Sequence, residues 1–211
     1  MLPALIVVGL ALIAAALIAA LIIRWYGRKA RRALEEIAGV TGGRIELRGW
    51  GLIAVVSGQW EGIPFRCALT PESPETPATL RITLLIPQAD EFRVRPRTAL
   101  DGAALKLGLT RPVSTGDPVF DLAFAVKTNA PETIREALAD DRWRHRIAAL
   151  FEEGVTEVRF EGTGVSMTRT LSATDAIRPE DLGIWLDRLQ SVSRPAAGPA
   201  APLFDNRRRF R

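Results

Sequence analysis

The sequence predicts an α+β protein, with an N-terminal transmembrane helix followed by a mainly antiparallel sheet of about seven or eight strands covered by two or three helices. Three observations carry this reading. The chain begins with an unbroken apolar run, its middle reads as short alternating or β-branched runs joined by turn residues, and stretches of helical period lie among and after them.

The apolar run comes first. From Leu2 to Ile23 no side chain is charged or strongly polar, and these 22 residues make roughly 33 Å of helix at about 1.5 Å each, enough to match the hydrocarbon of a bilayer. Pro3 falls in the first turn, where its missing amide proton is tolerated, and Gly9 alone does not break such a helix. Arg24, Trp25 and Tyr26 follow directly, an interfacial aromatic pair beside the cluster Arg28, Lys29, Arg31 and Arg32. A cleaved secretory signal would put its basic residues before the apolar core, whereas here they all come after it, so a retained single-pass anchor is expected. The positive-inside rule then places a very short N-terminus outside and the rest of the chain in the cytoplasm, at a bacterial inner membrane. Ala11, Ala15 and Ala19 make a small-xxx-small ridge through which two copies of the helix could pair.

Residues 28–38 hold good helix formers with Ala30, Ala33, Leu34, Ile37 and Ala38 on one side, so the helix is expected to continue to Gly39. Strand-like runs follow at 44–48, 52–57, 63–69 and 79–86, with a hairpin loop from Gly58 to Gly62 and a Pro-rich loop after the third. In 91–97 Phe92 and Val94 alternate with Arg93, Arg95 and Arg97, the pattern of a half-exposed strand, and Pro96 places it at a sheet edge. Residues 119–127 carry apolar positions on both faces and read as a central strand. Pro131 opens one helix, and Asp140 or Asp141 caps a second that runs to about Glu153. A hairpin of 155–160 and 164–170 precedes a last helix from about Pro179 to Val192. The layout is therefore a transmembrane helix at 1–23, a basic juxtamembrane helix at 24–40, a soluble domain at 41–193, and a disordered basic tail at 194–211.

Charge is distributed unevenly along this layout. The ends at 24–32 and 194–211 hold ten of the 28 bases and one of the 24 acids, which leaves 18 bases and 23 acids between 33 and 193, a balance of −5. A nucleic-acid-binding domain would carry its positive charge on the fold, so that class is disfavoured. The lone cysteine, Cys67, excludes an internal disulfide and any multi-cysteine metal site, and it lies in an apolar run where a buried, inert thiol is expected.

The stretch Gly116–Leu150, with Phe120, Asp121 and Phe124 leading into a strand and two helices, resembles a pattern of uncharacterised bacterial membrane-anchored domains. The resemblance implies a fold and a location and no activity.

Recognisable catalytic motifs are absent from the sequence. It holds no phosphate-binding glycine loop and no dinucleotide fingerprint, and His145 is alone in an arginine-rich helix where an exposed position is expected. The pairs Asp140 with Asp141 and Glu152 with Glu153 diverge on a helix, and Asp117 and Asp121 are explained by capping or turn hydrogen bonds. No enzyme, cofactor or metal is expected. The leading expectation is a membrane-tethered interaction or scaffold module with a protein partner on its cytoplasmic face. The first alternative is an anionic-lipid surface sensor, contacting the bilayer through Arg24, Trp25, Tyr26, Arg28, Lys29, Arg31 and Arg32, through Arg93, Arg95 and Arg97, and through Arg207, Arg208 and Arg209 of the tail, where Arg211, Phe204 and Phe210 would join. The second is a hydrolase or transferase with a dispersed site.

Overall fold

A computed structural model describes residues 2–49, 52–73, 76–107, 113–172 and 177–193. Helix α1 (Leu2–Thr41) leads into strands β1 (Arg44–Arg48), β2 (Ile53–Trp60), β3 (Ile63–Thr70), β4 (Ala78–Leu84) and β5 (Phe92–Pro96). Helices α2 (Ala99–Lys106) and α3 (Pro118–Ala123), strand β6 (Phe124–Thr128), and helices α4 (Pro131–Leu138) and α5 (Asp141–Glu152) follow. Strands β7 (Val155–Glu161) and β8 (Gly164–Leu171) and helix α6 (Pro179–Val192) complete the order. All eight strands form one sheet in the order β1-β2-β3-β4-β8-β7-β5-β6, and each ladder is antiparallel.

Period-two alternation decides which face of this sheet is inside. One register row runs Ile45–Val56–Cys67–Ile82–Met167–Val158–Val94–Val126 across all eight strands. Every member except half-buried Ile45 is buried. Against this inner face pack Ala30, Leu34 and Ile37 of α1, Trp143, Ile147 and Leu150 of α5, and Leu182, Trp185, Leu186 and Leu189 of α6, forming a single apolar core. Under α5, the rings of Phe92 and Phe160 stack with centroids 4.2 Å apart, and Trp143 lies 5.7 and 5.5 Å from them. The Trp143 indole donates to the Val192 carbonyl at 2.8 Å, pinning α5 to the end of α6. The β2–β3 turn is tight because Glu61 and Gly62 both take positive φ, 49° and 80°, as a two-residue hairpin requires; β2 therefore extends to Trp60, past the Gly58 at which its loop was expected to begin.

The expected transmembrane anchor is corrected. Among the described residues no helix is long and apolar enough to cross a membrane. The side chains of residues 2–9 and 11 lie outside the described residues, and the uncharged run that remains, Leu12–Ile23, is 12 residues, roughly 18 Å of helix against about 30 Å of hydrocarbon. The single-pass inner-membrane placement and the cytoplasmic orientation drawn from it are corrected with it. What the structure does give is one continuous helix, α1, with no break at residue 23. One side of its C-terminal turns, Ala30, Leu34 and Ile37, is buried in the core, and Leu12, Ile13, Leu17, Ile18 and Leu21 are exposed.

Three further expectations change. Residues 118–123 are helical, because Asp117 caps them, accepting from the Val119 and Phe120 amides, and Pro118 occupies the first turn. Only Phe124–Thr128 is a strand, and it lies at the sheet edge instead of the centre. Strand β5, expected at the edge, is interior. Strand β7 pairs only with Phe92, Arg93 and Val94, so Pro96 lies past the ladder in which its missing N–H would matter. The described helices number six, although three, α1, α5 and α6, form the layer that buries the inner face.

Candidate functional site

The register row next to the apolar one points the other way. It reads Arg44–Ser57–Arg66–Thr83–Ser166–Arg159–Arg93–Lys127, five cations and three hydroxyls crossing the whole sheet on its open face. Each strand supplies one member because each shifts by one residue from its buried neighbour. Along β5 the same face carries Arg95, and Arg97 continues the alternation beyond the strand, as the sequence predicted from Phe92 and Val94.

Few carboxylates answer these cations. Glu157 accepts from Arg93 at 3.0 Å and from Arg159 at 2.6 Å, one acid shared by two guanidinium groups. Arg95 reaches Asp101 of α2 at 2.5 Å. The Thr98 backbone N–H and hydroxyl also donate to that carboxylate, and these bonds, the Thr98 amide foremost and then Arg95, hold Asp101 well below the usual carboxylate range. Arg44, Arg66, Arg97 and Lys127 have no acid partner among the described residues. The Nε atoms of Arg66 and Arg97 are buried and find no acceptor among the described residues. At the β5–β6–β7 end lies a concavity of about 590 Å³ whose charged lining is Arg93, Arg97, Lys127 and Arg159 with Glu91, Asp101 and Glu161.

The α1 cluster is separate. Trp25 and Tyr26 meet edge to face with centroids 5.0 Å apart, Lys29 Nζ lies 5.7 Å from the centre of the Trp25 ring, Arg28 donates to the Arg24 carbonyl, and Arg31 pairs with Glu35 at 3.3 Å. Trp25, Tyr26, Lys29 and Arg32 border a groove of about 600 Å³ whose floor includes Leu69 and Leu171. Those floor residues share the parity of the inner face, so this cluster lies on the helix-covered side of the sheet. The structure thus joins Arg93, Arg95 and Arg97 to Arg159 and Lys127, and separates them from Arg24–Arg32. Arg207, Arg208, Arg209 and the rest of the tail lie outside the described residues.

The residues weighed for catalysis have structural partners. Asp117 caps α3, and the Phe120 amide foremost, with the Val119 amide and Arg144, holds its carboxyl below the ordinary value. Asp121 accepts from the Ser114 hydroxyl and from the Thr115 amide and hydroxyl. Asp140 caps α5, and Arg144 bonds the Leu138 carbonyl and Asp141. His145 is exposed, its Nδ1 2.8 Å from the Asp141 carbonyl. Cys67 is fully buried, which pushes its thiol up to about 12. Among the described residues no group of three or more His, Cys, Asp or Glu could hold a metal ion.

In comparisons with known proteins, no family model, no curated protein and no solved structure matches this chain. The resemblance drawn from Phe120, Asp121 and Phe124 is neither strengthened nor opposed by that outcome. In the structure the two rings sit 4.8 Å apart and Phe124 meets Phe151 of α5 at the same distance, a packing role.

Proposed function

We propose that this chain is a protein-interaction module whose open sheet face takes an acidic segment of a partner protein. The observation that carries the reading is the row Arg44–Ser57–Arg66–Thr83–Ser166–Arg159–Arg93–Lys127, in which every strand places a polar or cationic residue on the same face, Ser166 alone being buried, and among the described residues only Glu157 answers two of the five cations. A run of carboxylates laid across the strands would meet guanidinium forks and hydroxyls in alternation, the chemistry that recognises acidic motifs. Among the described residues the strands place no aromatic ring on this face for bases to stack on, so single-stranded nucleic acid is a poorer fit. A lipid surface is also poorer, because it would have to touch Arg24–Arg32 and Arg93–Arg97 together, and these lie on opposite sides of one sheet. The dispersed-site enzyme has no comparable support, since Asp117, Asp121 and Asp140 serve as caps and turn acceptors.

The test is fluorescence anisotropy of a labelled glutamate-rich peptide with the full chain. Arg66→Glu, in the middle of the row, is expected to weaken binding by roughly tenfold, since an attractive pair worth about 0.2–1 kcal/mol becomes a repulsion of similar size. Arg28→Glu on α1 is expected to leave binding unchanged. Binding that Arg28→Glu abolishes and Arg66→Glu spares would overturn the reading.

A further inference from the structure

The concavity at the β5–β6–β7 end asks for more charge than the rest of the face. Around it, Arg93 and Arg159 share Glu157, and Asp101 is taken up by Arg95 and Thr98. Glu91 on the rim accepts the Gly162 amide at 3.1 Å. Glu161 lies opposite Glu91 in the next register row outward, on the far side of Arg93 from Arg97. Among the described residues two cations facing the same space, Arg97 and Lys127, are left without an acid partner, and the buried Nε of Arg97 without an acceptor.

A carboxylate brings one negative charge and two oxygens, which would satisfy one of these groups and leave the other. A phosphate monoester brings a charge of about −1.5 to −2 at pH 7 and three acceptor oxygens, enough for both, with Arg93 and Arg159 as flanking donors. Arginine forks bind phosphate bidentately, and a buried Nε without a partner is the kind of donor that such an oxygen completes.

We propose that this concavity is a phosphoryl subsite, and that the acidic segment bound by the open face carries a phosphorylated side chain seated between Arg97 and Lys127. This inference rests on the module reading above. It goes further in naming the chemistry at one end of the bound segment.

The experiment compares three otherwise identical acidic peptides, carrying serine, phosphoserine or glutamate at one position, binding to the full chain and to its Lys127→Gln, Arg97→Gln, Arg97→Lys and Arg66→Glu variants. Lys127 is exposed on an edge strand, so Lys127→Gln leaves the fold intact; Arg97→Lys keeps the charge if Arg97→Gln perturbs folding, which circular dichroism reads. The expected result is that phosphoserine binds at least tenfold tighter than serine, and that glutamate falls between them. Lys127→Gln and Arg97→Gln should each weaken the phosphoserine peptide by a several-fold larger factor than the serine peptide, removing most of that preference, and inorganic phosphate should compete for the phosphopeptide less well in Arg97→Gln than in the parent chain. If phosphorylation adds nothing while Arg66→Glu still weakens all three peptides, the subsite is wrong and the module reading stands. If the phosphoserine preference is present and depends on Lys127, yet Arg66→Glu changes nothing, the subsite holds and the module reading fails. Phosphatidic acid vesicles binding where the phosphopeptide does not would overturn the proposal in favour of a lipid source of the phosphoryl group.

Discussion

Trp143 is the joint between the helix layer and the strands that carry the concavity, and replacing it measures how much that joint contributes. The indole is 5% exposed, packs on Phe92 and Phe160, and donates its N–H to the Val192 carbonyl at 2.8 Å. Trp143→Ala leaves a cavity of indole size, which costs about 3–5 kcal/mol in a close-packed core. Trp143→Phe keeps most of the ring contact and gives up the N–H; leaving the buried Val192 carbonyl without its donor costs about 1–2 kcal/mol of that. Domains of this class hold on the order of 5–15 kcal/mol in all, so the alanine change removes a large fraction. With about 2–4 °C per kcal/mol for a chain of this length, it lowers the melting temperature by roughly 6–20 °C. Urea unfolding followed by far-ultraviolet circular dichroism reads both variants without relying on the lost fluorophore. An alanine variant within 1 kcal/mol of the parent chain, or a phenylalanine variant as unstable as the alanine one, would refute this account of the core.

Three further outcomes follow from particular contacts. Gly164→Ala should destabilise by about 1–3 kcal/mol or more, because a Cβ there overlaps the Leu84 carbonyl oxygen and comes within 3.3 Å of the Leu84 carbonyl carbon and Leu85 Cα, backbone that cannot swing aside; thermal unfolding checks it. Asp101 is held below its unfolded value of about 3.9, so its bonds to Thr98 and Arg95 contribute fully above that pH and are lost as pH falls through the folded value. The gap in melting temperature between the parent chain and Asp101→Asn should therefore be constant from pH 6 to 8 and close below about pH 4. Glu157→Gln releases Arg93 and Arg159 from their shared acid, so binding of the glutamate-rich peptide should tighten by about two- to fivefold and its salt dependence should steepen.

Local signals in the sequence were a good guide to local structure. Pro131, Asp140 and Pro179 each open the helix predicted from them, and Phe92 and Val94 bury one face of their strand while the arginines take the other. What misled was information that only pairing supplies. Hairpin β7–β8 inserts between β4 and β5, a long-range choice that makes β5 interior and leaves β6 at the edge, so the inference from Pro96 failed because the proline falls two residues past the last residue paired with β7. Asp117-Pro118 is a helix start as well as a turn signal, and the capping bonds decide for the helix. The N-terminal run was read as an anchor from its apolar length and the basic and aromatic residues that follow it, and among the described residues it does not reach the length of a span. The site was half visible for the same reason. Arg93, Arg95 and Arg97 share one segment and announce themselves, whereas Arg44, Arg66, Arg159 and Lys127 come one to a strand and align only through the register, which no spacing in the sequence encodes.

The central claim, that an acidic segment docks on the open face of the sheet, is tested most directly by zero-length cross-linking. A glutamate-rich peptide is bound to the full chain, a carbodiimide is then added, and lysine adducts of the peptide are mapped by mass spectrometry. Lys127 closes the cationic row on the open face, whereas Lys29 lies beside Trp25 on the helix-covered side. The account predicts an adduct at Lys127 that excess unlabelled peptide suppresses and that Arg66→Glu diminishes; an adduct at Lys29 with none at Lys127 would contradict it.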